Sequence, residues 1–211
     1  MGQYYHPIVL KREWENRYED YNDEVSEQDA QFIADDTIEA TLYSHDFDNG
    51  LKLMEHSYIG NGFVQAVMRM IDICDEFKEG VPFVWCGDYS DYSELYDLSN
   101  VKMDDKEWAK EWKNKVADAD KYYTYVAAIN HTKKQYVIFP EYEYDKWAIH
   151  PLPILTSSGN GRGCGDYDDD PKKHNSKFVG TWAFDDISVV TDIKDIPDGY
   201  EKVDWKTEYD Y

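Results

Sequence analysis

The sequence predicts an α+β fold, with a mainly antiparallel sheet and two principal helices packed on it. The candidate strands come as hairpins and do not alternate regularly with helices, as they do in βαβ units. The chain is 42% hydrophobic and 16% aromatic, so it can build a packed core despite its high charge. We expect a single domain spanning residues 1–211, because no low-complexity linker or long repeat divides the chain.

The first strand is predicted over residues 4–10, which are rich in aromatic and β-branched side chains. Pro7 has no backbone N–H, so we expect this strand at a sheet edge, or the proline at the strand's beginning. A second strand is predicted over residues 38–43, followed by a turn at 46–50.

Residues 63–77 form the clearest helix candidate. Six apolar residues recur there at three- and four-residue steps, which places them on one helical face: Phe63, Val67, Met70, Ile71, Cys74 and Phe77. A buried strand is predicted over 81–86, leading into a loop at 87–91. The second helix is predicted over 104–119, where Trp108, Trp112 and Val116 are four residues apart and two aspartates favour the helix start.

Further strands are predicted in the second half of the chain. Residues 122–129 and 135–139 indicate a hairpin with a five-residue loop. Another strand pair, at 147–155 and 178–191, flanks a glycine-rich insert. Residues 199–211 alternate acids, lysines and aromatics, which is more typical of a docking tail than of a regular element.

The charge of the chain predicts the kind of partner. It carries 44 Asp and Glu against 22 Lys and Arg, a formal charge of −22. The acidic segment 11–48 dominates, since the first fifty residues hold 13 acids and 3 bases and so contribute ten of the net negative charges. Such a field repels nucleic acid and anionic membranes and attracts metal ions and basic protein surfaces.

We therefore predict an acidic interaction protein. In its sharpest form this is a phage-encoded inhibitor that occupies a basic nucleic-acid-binding surface of a host protein, as DNA or RNA would. Such a protein is not an enzyme and holds no cofactor. Its partner-binding carboxylates are predicted to be Glu13, Glu15, Glu19, Asp20, Asp23 and Glu24.

A glycine run places glycine at every second position from 159 to 165. An extended backbone there would show one face without side chains, open to close approach by a ligand or another chain. Gly161, Arg162 and Gly163 are therefore further predicted partner-binding residues. The phosphate-loop and dinucleotide fingerprints are not matched. A flexible surface connection is the alternative interpretation.

Two loops share the pattern Gly-Asp-Tyr-x-Asp, at residues 87–91 and 165–169. Two such loops brought together would pair carboxylates, as metal sites and glycosidases do. The alternative function is therefore a metal-dependent hydrolase. Asp88, Asp166 and Asp168 would bind a divalent metal, and a metal-bound water would be the nucleophile.

The three cysteines, Cys74, Cys86 and Cys164, show no CxxC spacing, which indicates a reducing compartment and hence the cytoplasm. Arg162 beside Cys164 would favour a thiolate, but the four aspartates that follow would raise the thiol pKa. His56 is predicted to be a hydrogen-bonded helix or strand residue and not a metal ligand.

Four short blocks resemble a family of uncharacterised proteins found in bacteria and their phages. The blocks are residues 1–5 (MGQYY), 52–57 (KLMEHS), 85–89 (WCGDY) and 158–167 (SGNGRGCGDY). The resemblance implies a bacterial or phage cytosolic setting. It implies no activity and assigns no catalytic residue.

Overall fold

The computed structural model describes residues 3–18, 21, 24–117, 124–140, 149–159 and 174–206. The helices, in chain order, are α1 (Glu15–Tyr18), α2 (Glu27–Thr37), α3 (Leu53–His56), α4 (Gly62–Cys74), α5 (Ser93–Asp104), α6 (Lys106–Val116) and α7 (Pro151–Leu155). The strands are β1 (Tyr5–Leu10), β2 (Ile38–Thr41), β3 (Val81–Gly87), β4 (Ala127–Asn130), β5 (Gln135–Ile138), β6 (Ser157–Ser158), β7 (Asp186–Val190) and β8 (Glu201–Lys202). Short 3-10 helices lie at Ser44–Phe47, His174–Phe178 and Ile193–Asp195.

Within these ranges the strands form an eight-stranded, mostly antiparallel sheet covered by helices, so the predicted α+β fold is confirmed. The strand order is β2-β1-β3-β7-β4-β5-β8. Strand β7 pairs with the first residues of β3, and β6 pairs in parallel with its last residues. The end of β3 is therefore bordered by β1 and by the short strand that leads into the glycine run.

The central strands β1 and β3 are buried along their whole length. Because successive residues of a strand point to opposite faces, their side chains join two different helical layers. Val9, Phe83 and Trp85 belong to the cluster that contains α4, whereas Ile8 and Val84 pack with residues of α2 and α5. The centre of the sheet is thus a middle layer between helices, and loops reach the surface at the strand ends.

Helix α4 is the helix predicted over 63–77, three residues shorter at its C-terminal end. Asn61 caps its start, since the Asn61 side chain accepts the Phe63 N–H at 2.8 Å. Asp75 ends it, and its carboxylate accepts two backbone N–H groups of the next turn, both at 3.1 Å. Phe77 was predicted to lie on the apolar helix face, but it lies in this turn and is 82% exposed.

The second predicted helix, 104–119, corresponds to α6, which Asp105 caps. Helices α2 and α5 were not predicted. Helix α5 buries polar side chains, with Ser99 fully inside and Lys102 only 7% exposed. Helix α2 buries mainly alanines. Neither helix therefore has the continuous apolar stripe by which helices are recognised in a sequence.

Strand β1 lies between β2 and β3, so the edge position suggested by Pro7 is wrong. Opposite Pro7 on β3, the N–H of Trp85 points away from β1 and bonds the Thr156 carbonyl at 2.8 Å. On the other side, pairing with β2 begins only at Ile8. The proline therefore occupies a position where the missing N–H removes no ladder hydrogen bond.

Residues 149–155, part of a predicted strand, lead instead into helix α7. Nδ1 of His150 accepts the Leu152 N–H at 3.2 Å, and Pro151 is the first helical residue. Proline favours this position because its fixed φ suits a helix start and no N–H is needed there. The predicted partner strand exists as β7, but it pairs with β3 and β4.

The predicted hairpin is present as β4 and β5, joined by residues 131–134 and not by five residues. The segment 199–211, predicted to be a tail, contributes β8 beside β5. Val203 is buried, and the Trp205 indole N–H bonds the Ile149 carbonyl at 3.2 Å. The C-terminal segment is thus packed against the rest of the fold up to residue 206, although only Glu201–Lys202 belong to the sheet.

Candidate functional site

The described start of the acidic N-terminal segment, residues 11–18, lies on the face of the sheet that carries α2 and α5. Trp14, 5% exposed, anchors its start by stacking on Phe184 with the ring centroids 5.3 Å apart. Glu13 and Glu15 flank Trp14, are exposed, and form no ion pair with a residue in the described ranges. Glu24 is also exposed. The other predicted carboxylates lie outside the described residues: Glu19, Asp20 and Asp23.

Helix α2 presents an aromatic side chain among carboxylates. Ser26 caps the helix by accepting the Asp29 N–H at 3.2 Å. Ala30 and Ala34 face the core, whereas Phe32 is 64% exposed. Four polar residues lie three or four positions from Phe32, and so next to it on the helix surface: Gln28, Asp29, Asp35 and Asp36. The helix contains no Lys or Arg, and around Phe32 it carries three carboxylates and one amide.

The last turn of α2 carries acids where the helix dipole disfavours them. Lys102 of α5 compensates, since its Nζ lies 2.6 Å from Asp35 Oδ1. Lys11 Nζ donates to the Asp35 carbonyl at 2.5 Å. Partial burial opposes ionisation, but hydrogen bonds from Lys102 and Gln31 lower the pKa of Asp35. The Asp35 carboxylate is therefore charged and fixed at the border of the acidic face.

The end of β3 brings the first Gly-Asp-Tyr loop against the start of the glycine run. Ser158 Oγ lies 2.6 Å from Ser90 Oγ. A Cβ on Gly159 would be 2.9 Å from the Ser90 backbone. The side-chain amide of Gln3 fills the space between Gly87 and Gly159. If either glycine carried a Cβ, that atom would lie 2.1 Å from the Gln3 amide nitrogen at position 87 and 2.5 Å from it at position 159. The rest of the predicted run lies outside the described residues, including Gly161, Arg162, Gly163, Asp166 and Asp168.

Gly159→Ala is expected to lower the free energy of unfolding by roughly 2–5 kcal/mol. Alanine at φ +95° costs about 1–2 kcal/mol, and its Cβ would overlap the Ser90 backbone, which adds about 1–3 kcal/mol. Gly199→Ala is the matched control, because Gly199 has φ +80° and no atom within 4 Å of its Cβ position. Equal losses in urea unfolding would contradict this packing.

Asp88 is hydrogen-bonded to the backbone of Tyr4, the residue that precedes strand β1. Its Oδ1 accepts the Tyr4 N–H at 3.0 Å, and its own N–H donates to the Tyr4 carbonyl at 2.9 Å. In the described ranges, no three His, Cys, Asp or Glu side chains are grouped so that they could hold a metal ion. The other predicted ligands, Asp166 and Asp168, are not among the described residues, so the metal site stays a prediction.

Tyr4 pairs with Asp88 at this end of the sheet, and two further tyrosines, Tyr43 and Tyr96, pack around the His6 ring. Tyr4 is 41% exposed, Tyr43 is 37% exposed and Tyr96 of α5 is half-buried. Burial raises the pKa of Tyr96, and the neighbouring Asp88, Tyr43 and Tyr4 raise it further, so its phenol stays neutral. We call Tyr4, Tyr43, Tyr96 and Asp88 the tyrosine patch. Sequence reasoning missed it because its members come from separate elements.

His6 forms the buried floor of the tyrosine patch. Its ring stacks on Tyr96 with the centroids 4.1 Å apart. Ser99 donates its only hydroxyl proton to the Tyr96 carbonyl at 2.7 Å, so it accepts from His6 Nδ1 at 2.8 Å. The proton is therefore on Nδ1, and the buried Nε2 lone pair has no donor in the described part of the chain. Burial lowers the pKa of His6 to about 3, so the ring is neutral.

Other reactive groups are built into the core. His56, in α3, accepts the Trp85 indole N–H at 2.8 Å, which confirms the prediction of a hydrogen-bonded residue. Cys74 and Cys86 are free thiols. Burial raises the pKa of both thiols to about 12, so neither is a thiolate nucleophile at neutral pH. The third cysteine lies outside the described residues.

None of the described helices is long and apolar enough to cross a membrane. No family model, curated protein or solved structure matches this chain. Its function is therefore inferred from the geometry of its own residues.

Proposed function

We propose that this protein is an acidic interaction protein that occupies a basic, nucleic-acid-binding surface of a host protein. The observation that carries the proposal is the exposed face of α2, where Phe32 lies beside Asp29 and Asp35 on a helix without Lys or Arg. Carboxylates steer the encounter with a basic surface, and an aromatic side chain supplies the desolvated anchor that interfaces need.

The charge density of α2 supports mimicry of nucleic acid. Four carboxylates lie within its 11 residues: Glu27, Asp29, Asp35 and Asp36. At a rise of about 1.5 Å per residue the helix spans about 16 Å, which is one carboxylate per about 4 Å, and of these Asp35 is paired with Lys102. A DNA strand carries one phosphate per about 3.4 Å. Two of these acids oppose the helix dipole, which indicates that charge and not helix stability determines these positions.

The proposal also includes the cellular compartment in which the protein acts. The free thiols Cys74 and Cys86 fit a reducing compartment, the bacterial cytoplasm or the host cytoplasm of a phage-encoded protein. The net charge of −22 disfavours direct binding to nucleic acid or to an anionic membrane. An inhibitor that acts by occupying a surface needs neither a catalytic residue nor a cofactor.

The triple variant Glu13→Gln, Glu15→Gln, Glu27→Gln is expected to lose affinity for the basic partner. Exposed ion pairs contribute about 0.2–1 kcal/mol each, so affinity is expected to fall roughly 3- to 150-fold at low salt. Its salt dependence is expected to flatten as well. The tagged protein would be isolated from host cells, co-purifying proteins identified by mass spectrometry, and binding to the most enriched one measured across salt concentrations.

The matched control is Asp195→Asn, Asp198→Asn, Glu201→Gln, the same change in charge near the β8 edge, opposite the β2 edge beside α2. Equal losses in both triple variants would contradict the assignment to the N-terminal segment.

Phe32→Ala is expected to weaken binding at every salt concentration, because salt does not screen apolar contacts. The proposal is wrong if no nucleic-acid-binding protein co-purifies. It is also wrong if duplex DNA does not displace this protein from the partner that does.

A further inference from the structure

We propose that the tyrosine patch binds the guanidinium group of an arginine side chain on a protein partner. The inference rests on the proposed function only in that the arginine belongs to a basic partner. The patch lies at the strand ends of β1 and β3 and shares no residue with α2.

Exposed aromatic rings are concentrated at this end of the sheet. Of the six large apolar side chains exposed in the described residues, three belong to this region: Tyr4 at 41%, Tyr43 at 37% and the neighbouring Tyr89 at 40%. Single exposed apolar residues are ordinary, but grouped ones mark binding surfaces. The ring face of tyrosine carries negative potential, which attracts a cation held within about 6 Å of the ring centre.

Asp88 supplies a carboxylate that is positioned before a ligand arrives. The reciprocal bonds to Tyr4, at 3.0 and 2.9 Å, fix its backbone and its Oδ1. Its Oδ2 has no hydrogen-bond partner, and no Lys or Arg forms an ion pair with it, among the described residues. A fixed carboxylate with open lone pairs binds a guanidinium strongly, because little ordering cost remains.

The floor of the patch adds negative potential and no competing cation. His6 is neutral, and its buried Nε2 lone pair has no donor in the described ranges. The Tyr96 phenol is kept neutral by its raised pKa, so it can accept a hydrogen bond from a ligand N–H.

Arginine fits this arrangement better than lysine does. The guanidinium is planar, so it can stack on a tyrosine ring while its N–H groups reach a carboxylate at the ring edge. It is also more weakly hydrated than an ammonium, and so loses less on leaving water. Lysine carries the same charge but has no planar group that could stack on a tyrosine ring.

The test titrates three capped peptides, Gly-Arg-Gly, Gly-Lys-Gly and Gly-citrulline-Gly, into the full chain carrying 13C-labelled tyrosine, with the ring signals followed by NMR. The arginine peptide is expected to shift the Tyr4, Tyr43 and Tyr96 signals saturably, and the lysine peptide to bind more weakly. Citrulline has the shape of arginine without its charge and is expected to cause no shift. Asp88→Asn is expected to weaken arginine binding roughly fivefold.

Asparagine at position 88 keeps an oxygen for the Tyr4 N–H, so the fold is expected to persist. Tyr43→Leu is a second variant expected to weaken binding by removing a ring. Asp195→Asn is the matched control and is expected to change nothing. The Glu13, Glu15, Glu27 triple variant is expected to bind the peptide normally, so failure of the α2 interface and failure of this site are distinguishable. Equal shifts with arginine and citrulline, or unsaturable shifts spread over the acidic surface, would overturn the proposal.

Discussion

His56→Phe is expected to lower the free energy of unfolding by roughly 2–6 kcal/mol. His56 is fully buried and bonded at both ring nitrogens, because Nδ1 accepts the Trp85 indole N–H and Nε2 donates to the Gly50 carbonyl, each at 2.8 Å. Phenylalanine fills similar space but leaves both partners without a bond, at about 1–3 kcal/mol each when buried. Urea unfolding at pH 7.5, followed by circular dichroism, measures the loss.

Trp85→Phe and the double variant separate this hydrogen bond from general packing. Without the indole N–H, position 56 no longer needs an acceptor. The double variant is therefore expected to lose less than the sum of the single variants, by about 1–3 kcal/mol. Additive losses would mean that the bond between the two rings contributes no stability. The bond links α3 to β3 two residues before Gly87, and so holds the strand that carries the Asp88 loop.

The elements found by sequence reasoning are those in which one periodicity dominates. The apolar spacing of α4 and the hairpin of β4 and β5 are local patterns, and both are present. Helix α5 was missed because two of its buried residues are polar. Ser99 fixes the His6 ring, and Lys102 bonds Asp35. Ser99 and Lys102 interrupt the apolar pattern of α5, and the same two residues support the candidate binding surfaces. Such a departure from the pattern is expected where function determines the residue.

The candidate site was only partly accessible to sequence reasoning. The excess of acids in the first fifty residues is a local property, and the described carboxylates Glu13, Glu15 and Glu24 are exposed. Asp88 was selected by a repeated pentapeptide, as a metal ligand. Its bond to Tyr4 and its tyrosine neighbours depend on the β1–β3 register and on the docking of α5, which no local pattern encodes.

Mild acid is expected to destabilise this fold by about 8 kcal/mol between pH 7.5 and 4.5. Burial lowers the pKa of His6 and His150 to about 3 and that of His56 to about 4, against 6.5 for an unburied histidine. Below pH 6.5 the unfolded chain therefore binds protons at these three histidines that the folded chain does not bind. Stability is full above pH 6.5 and is lost as pH falls toward 4 and 3. Three such groups give a slope of about 4 kcal/mol per pH unit near pH 5.5.

His150→Asn tests the origin of this slope. Asparagine is a good helix cap, so it can replace His150 Nδ1 as acceptor for the Leu152 N–H, but it does not titrate. Its smaller volume is expected to lower stability at every pH, whereas the slope near pH 5.5 is expected to fall by about a third. Urea unfolding at a series of pH values from 7.5 to 5.0 measures both quantities. An unchanged slope in His150→Asn would mean that other groups drive the acid transition, because removal of one buried histidine must remove one proton from the difference between the folded and unfolded chains.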